Sequence, residues 1–428
     1  AMTRSNVGEV HARVDGHTMP RKFLELVDRH PELPILHARD GDGWTTHTVA
    51  DVAELAAQVA HGLLHDRVAV GERVLLMMRN RPEFHWLDLA AQFVRATPVS
   101  IYNSSSPEEI QYLAHDAGAR VAIVENSSFL DRILGIWPEL PQLERIYVID
   151  PPEGDLPDGV APLSALTSAG SVSLRELADA TSPDDIATLI YTSGTTGPPK
   201  GVMISQYNVV YTLDILLECI GGPELSGWKV VSYLPMAHIA ERMVSQYMTL
   251  AHASEVFCCP EFNELLSYLT DVRPQLLFGV PRVYEKIYAG VNAVVAADPE
   301  RRQQFDDGVA LAIEIKRAEL AGIHTQDQSE TWAFLDAVAF STVRSLIGLD
   351  QLKFAISGAA PIPAAIMEWF AAIGVPLSEI YGMSESSGPM TFSPLRNKPG
   401  FVGEAIPGCE VRIADDGEVI CRGGNVFV

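Results

Sequence analysis

The sequence predicts an α/β fold: two helix-covered, mostly parallel sheets followed by the start of a small β subdomain. Three observations predict it. Short apolar runs suited to buried strands alternate with helical spacings from Ile35 to Ile380. A tract rich in Pro, Gly, Asp and Ser, residues 151–183, divides that alternation into two runs. Past Pro399 the pattern changes to short β pieces separated by Gly and Asp-Asp-Gly turns.

In chain order, residues 1–20 are polar and are expected to be poorly ordered. Met19 to Arg29 has helical spacing, and Ile35 to Thr48 reads as a hairpin around Gly41-Asp42-Gly43. Thr48 and Asp51 can cap a helix whose apolar face is Val52, Leu55, Val59 and Leu63. Val74 to Met78 reads as a buried strand, Pro82 to Phe93 as a helix, and Thr97 to Ile101 as a strand. A helix opens at Ser105-Ser106-Pro107-Glu108-Glu109, with proline in its first turn. Strands follow at Val121–Val124 and Ile146–Ile149, then residues 151–183 as a linker or surface loop. The second run has strands near 186–190, 201–204, 230–234, 255–258, 276–279, 353–357 and 376–380, with long amphipathic helices at 299–321 and 330–348. The expected division is therefore a first subdomain over 1–180, a second over 181–398, and a β fragment over 399–428.

The 428 residues carry a formal charge of −24. Such a surface repels nucleic acid and anionic lipid headgroups. It also repels polyphosphates, so a nucleotide site here needs local cation. The five cysteines form no C-x-x-C pair, which favours reduced, buried thiols. No run of 18 apolar residues predicts a transmembrane helix, and the expected location is cytoplasmic, compatible with peripheral membrane contact.

The most informative stretch is Tyr191-Thr192-Ser193-Gly194-Thr195-Thr196-Gly197-Pro198-Pro199-Lys200-Gly201, set between two apolar strands. Gly194 and Gly197 let the backbone curl so that successive N–H groups face one anion. Hydroxyls at 192, 193, 195 and 196 add donors, and Lys200 adds a full positive charge. It is not a Walker A loop, which needs lysine directly after its last glycine and a helix behind it. A Ser/Thr/Gly-rich surface turn is the plain alternative, but it would rarely carry Pro-Pro-Lys-Gly as well.

Four further strings follow predicted strands. Tyr381-Gly382-Met383-Ser384-Glu385 offers a ring to stack on a base, a hydroxyl for phosphate and a carboxylate for Mg²⁺. Ser386 stands where a G-x-S-x-G elbow needs its final glycine, which argues against a serine hydrolase. Ser357-Gly358-Ala359-Ala360-Pro361 has small residues that admit a flat ring. Leu234-Pro235-Met236-Ala237-His238-Ile239-Ala240-Glu241-Arg242 presents a histidine, and Phe278-Gly279-Val280-Pro281-Arg282 reads as a strand-to-helix junction.

These strings together resemble the adenylate-forming superfamily of acyl- and aryl-CoA ligases, luciferases and peptide-synthetase adenylation domains. The resemblance spans roughly residues 20–428 and is closest to the long-chain fatty-acyl-CoA synthetase branch. It implies the large N-terminal domain of that fold and a ligase that turns a fatty acid and ATP into acyl-adenylate, then an acyl-CoA thioester. ATP, Mg²⁺ and coenzyme A are the implied cofactors, with fatty acid and CoA as partners. Nucleic acid is not an expected partner, and a homodimer is compatible with the reading. By resemblance, residues 192–197 and Lys200 hold the β,γ-phosphates, Thr192 and Glu385 position Mg²⁺, and His238 stabilises the α-phosphate beside the acyl carboxylate. Gly358, Ala359, Ala360, Glu379, Ile380, Tyr381, Gly382 and Met383 form the adenine side, and Ser384 touches the α-phosphate. Gly279, Val280, Pro281 and Arg282 line the acyl pocket together with His238. Arg242 stands near the position where some members carry an aromatic gate. Family chains continue past a segment like Arg422–Phe427 with a ribose-binding aspartate, a hinge and a mobile domain bearing a catalytic lysine. The sequence ends at Val428, so it is expected to be a truncated form that binds ATP but adenylates poorly and does not complete the thioester. Two alternatives stand beside this reading: a fatty-acyl-AMP ligase that delivers to a carrier protein, and a non-catalytic nucleotide- or acyl-binding protein.

Overall fold

The computed structural model describes residues 4–168, 170–192 and 197–428. In chain order the strands are β1 (Pro34–Asp40), β2 (Gly43–Thr48), β3 (Arg73–Met77), β4 (Thr97–Ser100), β5 (Ala119–Asn126), β6 (Arg145–Asp150), β7 (Val160–Pro162), β8 (Ile186–Thr192) and β9 (Lys200–Ser205). They continue with β10 (Lys229–Ser232), β11 (Glu255–Cys258), β12 (Leu276–Gly279), β13 (Phe354–Ser357), β14 (Leu377–Met383), β15 (Gly388–Phe392), β16 (Cys409–Ile413) and β17 (Val419–Gly423). A seven-stranded sheet has the order β7-β6-β5-β3-β4-β8-β9, and an eight-stranded sheet has the order β15-β14-β13-β12-β10-β11-β1-β2. Only the edge hairpins are antiparallel: β8–β9 in the first sheet, β1–β2 and β14–β15 in the second. This is the expected α/β class.

Strand periodicity explains how the layers stack. Val74 and Leu76 of β3, Val230 of β10 and Leu276 and Phe278 of β12 belong to one core between the sheets. Their neighbours Leu75 and Met77 face a second core on the outside of the first sheet. Val231 and Leu277 face a third core on the outside of the second sheet. Both sheets are thus buried on two faces, as parallel sheets require. The shared middle core is filled by helices Val49–His65, Pro82–Phe93 and Gln206–Cys219. Thr48 caps the first of these through a reciprocal pair with Asp51, as the spacing predicts.

Three expectations need correction. The division at residue 180 does not separate the sheets: β8 and β9 complete the first sheet, whereas the early hairpin β1–β2 extends the second through β11. Both are edge pairings, and local pattern does not encode which edge a hairpin joins. Residues 151–183 are not a plain linker. They add β7 to the sheet edge and form helices Leu163–Thr167 and Leu174–Ala180, which bury Leu166, Leu174 and Ala178. Nor is the N-terminal stretch a loose tail. Val7–Val14 is a helix capped by Asn6, with Val10 and Val14 buried. Its Arg13 forms ion pairs with Asp214 at 2.5 Å and Glu218 at 2.9 Å. Two valines four apart provide the docking face, too short a pattern to stand out among polar residues.

Past Pro399, β16 and β17 form the small antiparallel piece that the turns predict. It is tied to the body by Asn425, whose Nδ2 donates to the carbonyls of Ser386 (3.3 Å) and Pro389 (3.1 Å). Among the described residues no helix is long and apolar enough to cross a membrane.

Candidate active site

Parallel strands end together, and a ligand crevice opens beyond their carboxyl ends. Here a cleft of about 600 Å³ lies where the ends of β12, β13 and β14 approach the β8–β9 hairpin of the other sheet. Thr192, Lys200, His238, Ala359, Ile380, Gly382, Met383, Ser384 and Glu385 all line it. Residues nearly 200 positions apart in sequence, as with Thr192 and Glu385, are brought to one wall. Ser193, Gly194, Thr195 and Thr196 lie outside the described residues.

The base of the phosphate-loop candidate is firmly built. β8 and β9 pair up to Thr192 opposite Lys200. Gly197 has φ +99°, a conformation that glycine adopts without strain. The Tyr112 hydroxyl donates to the Pro199 carbonyl at 2.9 Å, and the Tyr191 hydroxyl donates to Asp116 at 2.8 Å. Lys200 is exposed at the rim of the cleft.

β14 runs further than the sequence suggests. It continues through Met383 and turns over a single 3₁₀ turn, Ser384–Ser386, into β15. The Y-G-M-S-E string is therefore a hairpin rather than a loop after a strand. A Cβ at Gly382 would stand 1.7 Å from the Gly388 carbonyl oxygen, so only glycine allows this crossing. Ser384 is buried, while Glu385 is partly exposed toward the cleft.

His238 caps the short helix Ile239–Glu241. Its Nδ1 accepts from the Ala240 N–H at 3.2 Å, which places the proton of the neutral ring on Nε2. Burial lowers its pKa from the ordinary histidine value, so the ring is neutral at pH 7 and presents an Nε2–H donor. Glu241, wholly buried, accepts from Ser232 and Ser245 at 2.6 Å each, and burial pushes its carboxyl up to about 7.

The adenine-side candidates divide. Ala359 (φ +68°) and Ile380 line the cleft, whereas Gly358, Ala360 and Tyr381 do not. Gly358 is nonetheless tightly placed, since a Cβ there would meet Ile380 Cγ2 at 2.8 Å and Phe278 Cζ at 3.0 Å. Glu379 is turned away: buried, it accepts from the Ile362 N–H at 3.2 Å and so pins the loop after β13. The acyl-lining expectation at Gly279, Val280, Pro281 and Arg282 is not met either. Strand alternation puts Phe278 on the cleft side and Gly279 against Tyr233 and Tyr284 on the outer face, where the helix Pro281–Val295 then runs. Arg282 is exposed.

Sequence reading missed the apolar wall. Leu216, Ile239, Ala240, Met243, Val244, Phe278 and Ile356 supply it. A signal was present: Ile239 with Met243, and Ala240 with Val244, repeat at i and i+4 directly behind His238. Arg242, between them, faces the other way and is fully buried against Asp88. No gate stands at that position.

A second cleft of about 610 Å³ meets the first at Thr192, His238 and Ser384, and is lined by Tyr102, Ser105, Glu108 and Tyr112. A third groove of about 640 Å³, between helices Leu265–Val272 and Pro281–Val295, is lined by apolar side chains apart from Asn263 and Lys286. It lacks the convergent polar groups of the first cleft, which is therefore the candidate site. Among the described residues no group of three or more His, Cys, Asp or Glu could hold a metal by itself. All five cysteines are free thiols.

Comparison with known proteins addresses the family and the fold. Residues 23–427 match the family model described as AMP-binding enzyme. The chain is 29% identical over 428 residues to the rat (Rattus norvegicus) long-chain-fatty-acid–CoA ligase ACSBG1, covering 96% of this chain and 59% of that protein. It is 32% identical over 400 residues to the long-chain-fatty-acid–CoA ligase FadD15 of Mycobacterium bovis, covering 92% of this chain and 65% of that one. The chain thus spans less than two thirds of these relatives. Among solved structures, the anthranilate CoA ligase AuaEII in complex with anthranoyl-AMP superposes with a TM-score of 0.71 at 20% identity, over 96% of this chain and 71% of that one. The N-terminal domain of FACL13 from Mycobacterium tuberculosis gives 0.69 at 20% identity, over 96% of this chain and 90% of that one. At such identities the superpositions establish the fold. With the family model running almost end to end over the chain that builds this cleft, the chain belongs to the AMP-binding enzyme family.

Proposed function

We propose that this chain forms the adenylating part of an ATP-dependent fatty acid–CoA ligase. One observation carries the reading: a single cleft joins donors and charge (Thr192, Lys200, His238, Ser384, Glu385) to an apolar wall (Ile239, Met243, Val244, Phe278, Ile356). The polar end suits a triphosphate and the apolar wall suits an alkyl chain.

The chemistry asks little of a general base. A fatty acid carboxyl titrates at about 4–5 and is already ionised at neutral pH. The obstacle is bringing one anion onto the α-phosphorus of another, so charge neutralisation and alignment supply the acceleration. Lys200 and Thr192 hold the outer phosphates, with the donors of residues 193–197. The Nε2–H of His238 points a neutral donor at the α-phosphate and the incoming carboxylate. Ser384 adds a hydroxyl there. Mg²⁺ fits this donor set: one carboxylate, Glu385, and one hydroxyl, Thr192, leave its remaining positions to phosphate oxygens and water. When bound, the ion neutralises phosphate charge. The cleft beside Tyr102 and Tyr112 gives the acceptor thiol of CoA its own approach to Thr192, His238 and Ser384.

The test is ATP–pyrophosphate exchange across fatty acids of increasing length, on the protein as it occurs. Exchange that requires a long-chain carboxylate supports the reading. ATP binding without any carboxylate-dependent exchange would overturn it in favour of a non-catalytic binder. Product release that ignores CoA and requires a carrier protein would redirect it to a fatty-acyl-AMP ligase.

A further inference from the structure

His238 sits at the end of a turn that has no regular secondary structure of its own. Residues 233–238 link β10 to the helix Ile239–Glu241, and a wandering turn would carry the imidazole with it. Two adjacent side chains reach back to this segment, Glu241 to the residue just before the turn and Arg242 to the turn itself. Glu241 accepts from Ser232 at 2.6 Å. Asn80 Nδ2 donates to that same Ser232 hydroxyl at 2.8 Å and to the Leu234 carbonyl at 2.9 Å, fixing the entry to the turn.

Arg242 fixes its exit. Its Nε donates to the Met236 carbonyl at 3.1 Å, two residues before His238. The rest of the guanidinium is held as well: Nη1 donates to Asp88 at 2.6 Å and Tyr247 Oη at 3.1 Å, and Nη2 donates to Ser100 at 2.8 Å. Arg242 and Asp88 are both at 0% exposure. Asp88 in turn accepts from Gln92 at 2.6 Å and Gln246 at 3.2 Å. Burial raises the Asp88 pKa above the ordinary carboxylate value, and the guanidinium with the two amides only partly offsets it. A guanidinium does not give up its proton, so Arg242 keeps its positive charge.

The backbone is adapted to this arrangement. Residues Arg242–Tyr247 form a π-helix, whose i to i+5 spacing stacks Tyr247 beneath Arg242. The wider turn lets Arg242 face inward while Met243 and Val244 face the cleft. Stability does not demand a buried ion pair here, since apolar side chains of similar volume commonly serve as well. What apolar side chains cannot supply is a donor aimed at the Met236 carbonyl.

We propose that Arg242, oriented by Asp88, is the positioning residue that holds the 233–238 turn and thereby fixes His238 at the polar end of the cleft. The inference rests on the functional reading above for its kinetic consequence, but not for its structural one.

The test uses three variants and two readouts. Arg242→Lys keeps a cation for Asp88 but cannot also reach Met236. Arg242→Met leaves Asp88 as an orphaned charge, and Asp88→Asn with Arg242→Met relieves it. In Arg242→Lys, carboxylate-dependent pyrophosphate exchange should fall at least tenfold in kcat, with KM for ATP changed less than about twofold. In the double variant thermal stability should return toward wild type while kcat stays low. The second readout needs no activity. The titration midpoint of His238, followed by NMR with labelled histidine, should rise toward the ordinary histidine value of 6.5 in both variants as the turn loosens into solvent. A folded Arg242→Lys or double variant with wild-type kcat and an unmoved His238 midpoint overturns the proposal. Failure of all three variants to fold assigns Arg242 to stability alone and also overturns it. Wild-type protein that shows no exchange while the His238 midpoint shifts in the variants refutes the functional reading and leaves the positioning role standing.

Discussion

Thr192 and Lys200 face each other as the closing pair of the β8–β9 ladder, and both point into the cleft. Opposite residues of an antiparallel pair share a face, so the ladder register aims a hydroxyl and an ammonium at one place. A slip of β9 by one residue would turn Lys200 to the other face and break the convergence. Strand pairing thus performs the first step of site assembly.

Removing the ammonium should weaken nucleotide binding without harming the fold. Lys200 is exposed, and in the proposed reading its charge serves the nucleotide rather than the fold. Lys200→Met should cost about 2 kcal/mol of ATP affinity, the scale of a charge-assisted hydrogen bond, and leave the melting temperature within a degree or two. Calorimetric titration with ATP checks it. Unchanged affinity would remove Lys200 from the phosphate site.

The β14–β15 hairpin should tolerate no side chain at its crossing. In Gly382→Ala the new methyl meets the Gly388 carbonyl oxygen at 1.7 Å, and backbone cannot swing aside as a side chain can. The two strands must separate, at a cost of about 1–3 kcal/mol. Thermal unfolding should show the loss, and ATP affinity should fall with it because Ser384 and Glu385 ride on the same hairpin.

Glu241 should make stability fall as pH rises. Its carboxyl titrates at about 7 when folded against an ordinary 4.5, so between those values the folded state binds more protons than the unfolded one. That difference corresponds to about 3 kcal/mol, fully present below pH 4.5 and lost by pH 7. Glu241→Gln keeps an acceptor and removes the charge. Its stability should exceed that of wild type at pH 8 by about 2 kcal/mol, with the gap closing at pH 5. Denaturant melts at the two pH values decide it.

His85 should act in the opposite direction. It is fully buried, and burial drives its pKa down to about 3, aided by the nearby Arg242 cation. Neither ring nitrogen has a hydrogen-bond partner among the described residues. The folded state therefore binds fewer protons than the unfolded one below pH 6.5, and stability is lost as pH falls from there toward 3. His85→Leu removes this term. The variant should gain about 3 kcal/mol over wild type at pH 4, beyond any difference at pH 7. Equal acid sensitivity of the two proteins would show that His85 does not govern it.

Several of the residues that line the cleft could be picked out from the sequence alone. Thr192, His238, Ala359 and the Tyr381–Glu385 string each lie at or just past a recognisable strand, and strand ends are where such residues gather. The apolar wall was half legible: the i, i+4 pairs behind His238 were there to be counted, but Leu216 comes from a different helix altogether. The misplacement of Gly279 to Arg282 has a simple cause. One step along β12 moves a residue from the cleft face to the opposite face, and the string itself does not say which step it is.

By itself the sequence determined most of the strands of the two sheets, where the glycines and hydroxyls of the candidate phosphate loop lie, and the family to which these strings point. Those are local properties, written in periodicity and in side-chain chemistry over a few residues. Tertiary structure alone decided that β1–β2 joins the later sheet, that Val7–Val14 docks, that Glu379 turns from the cleft, and that Arg242 is buried on Asp88. Each of these is a pairing between distant partners. Its free energy comes from burial and charge compensation that exist only once both partners are in place, so no single stretch of chain can carry it.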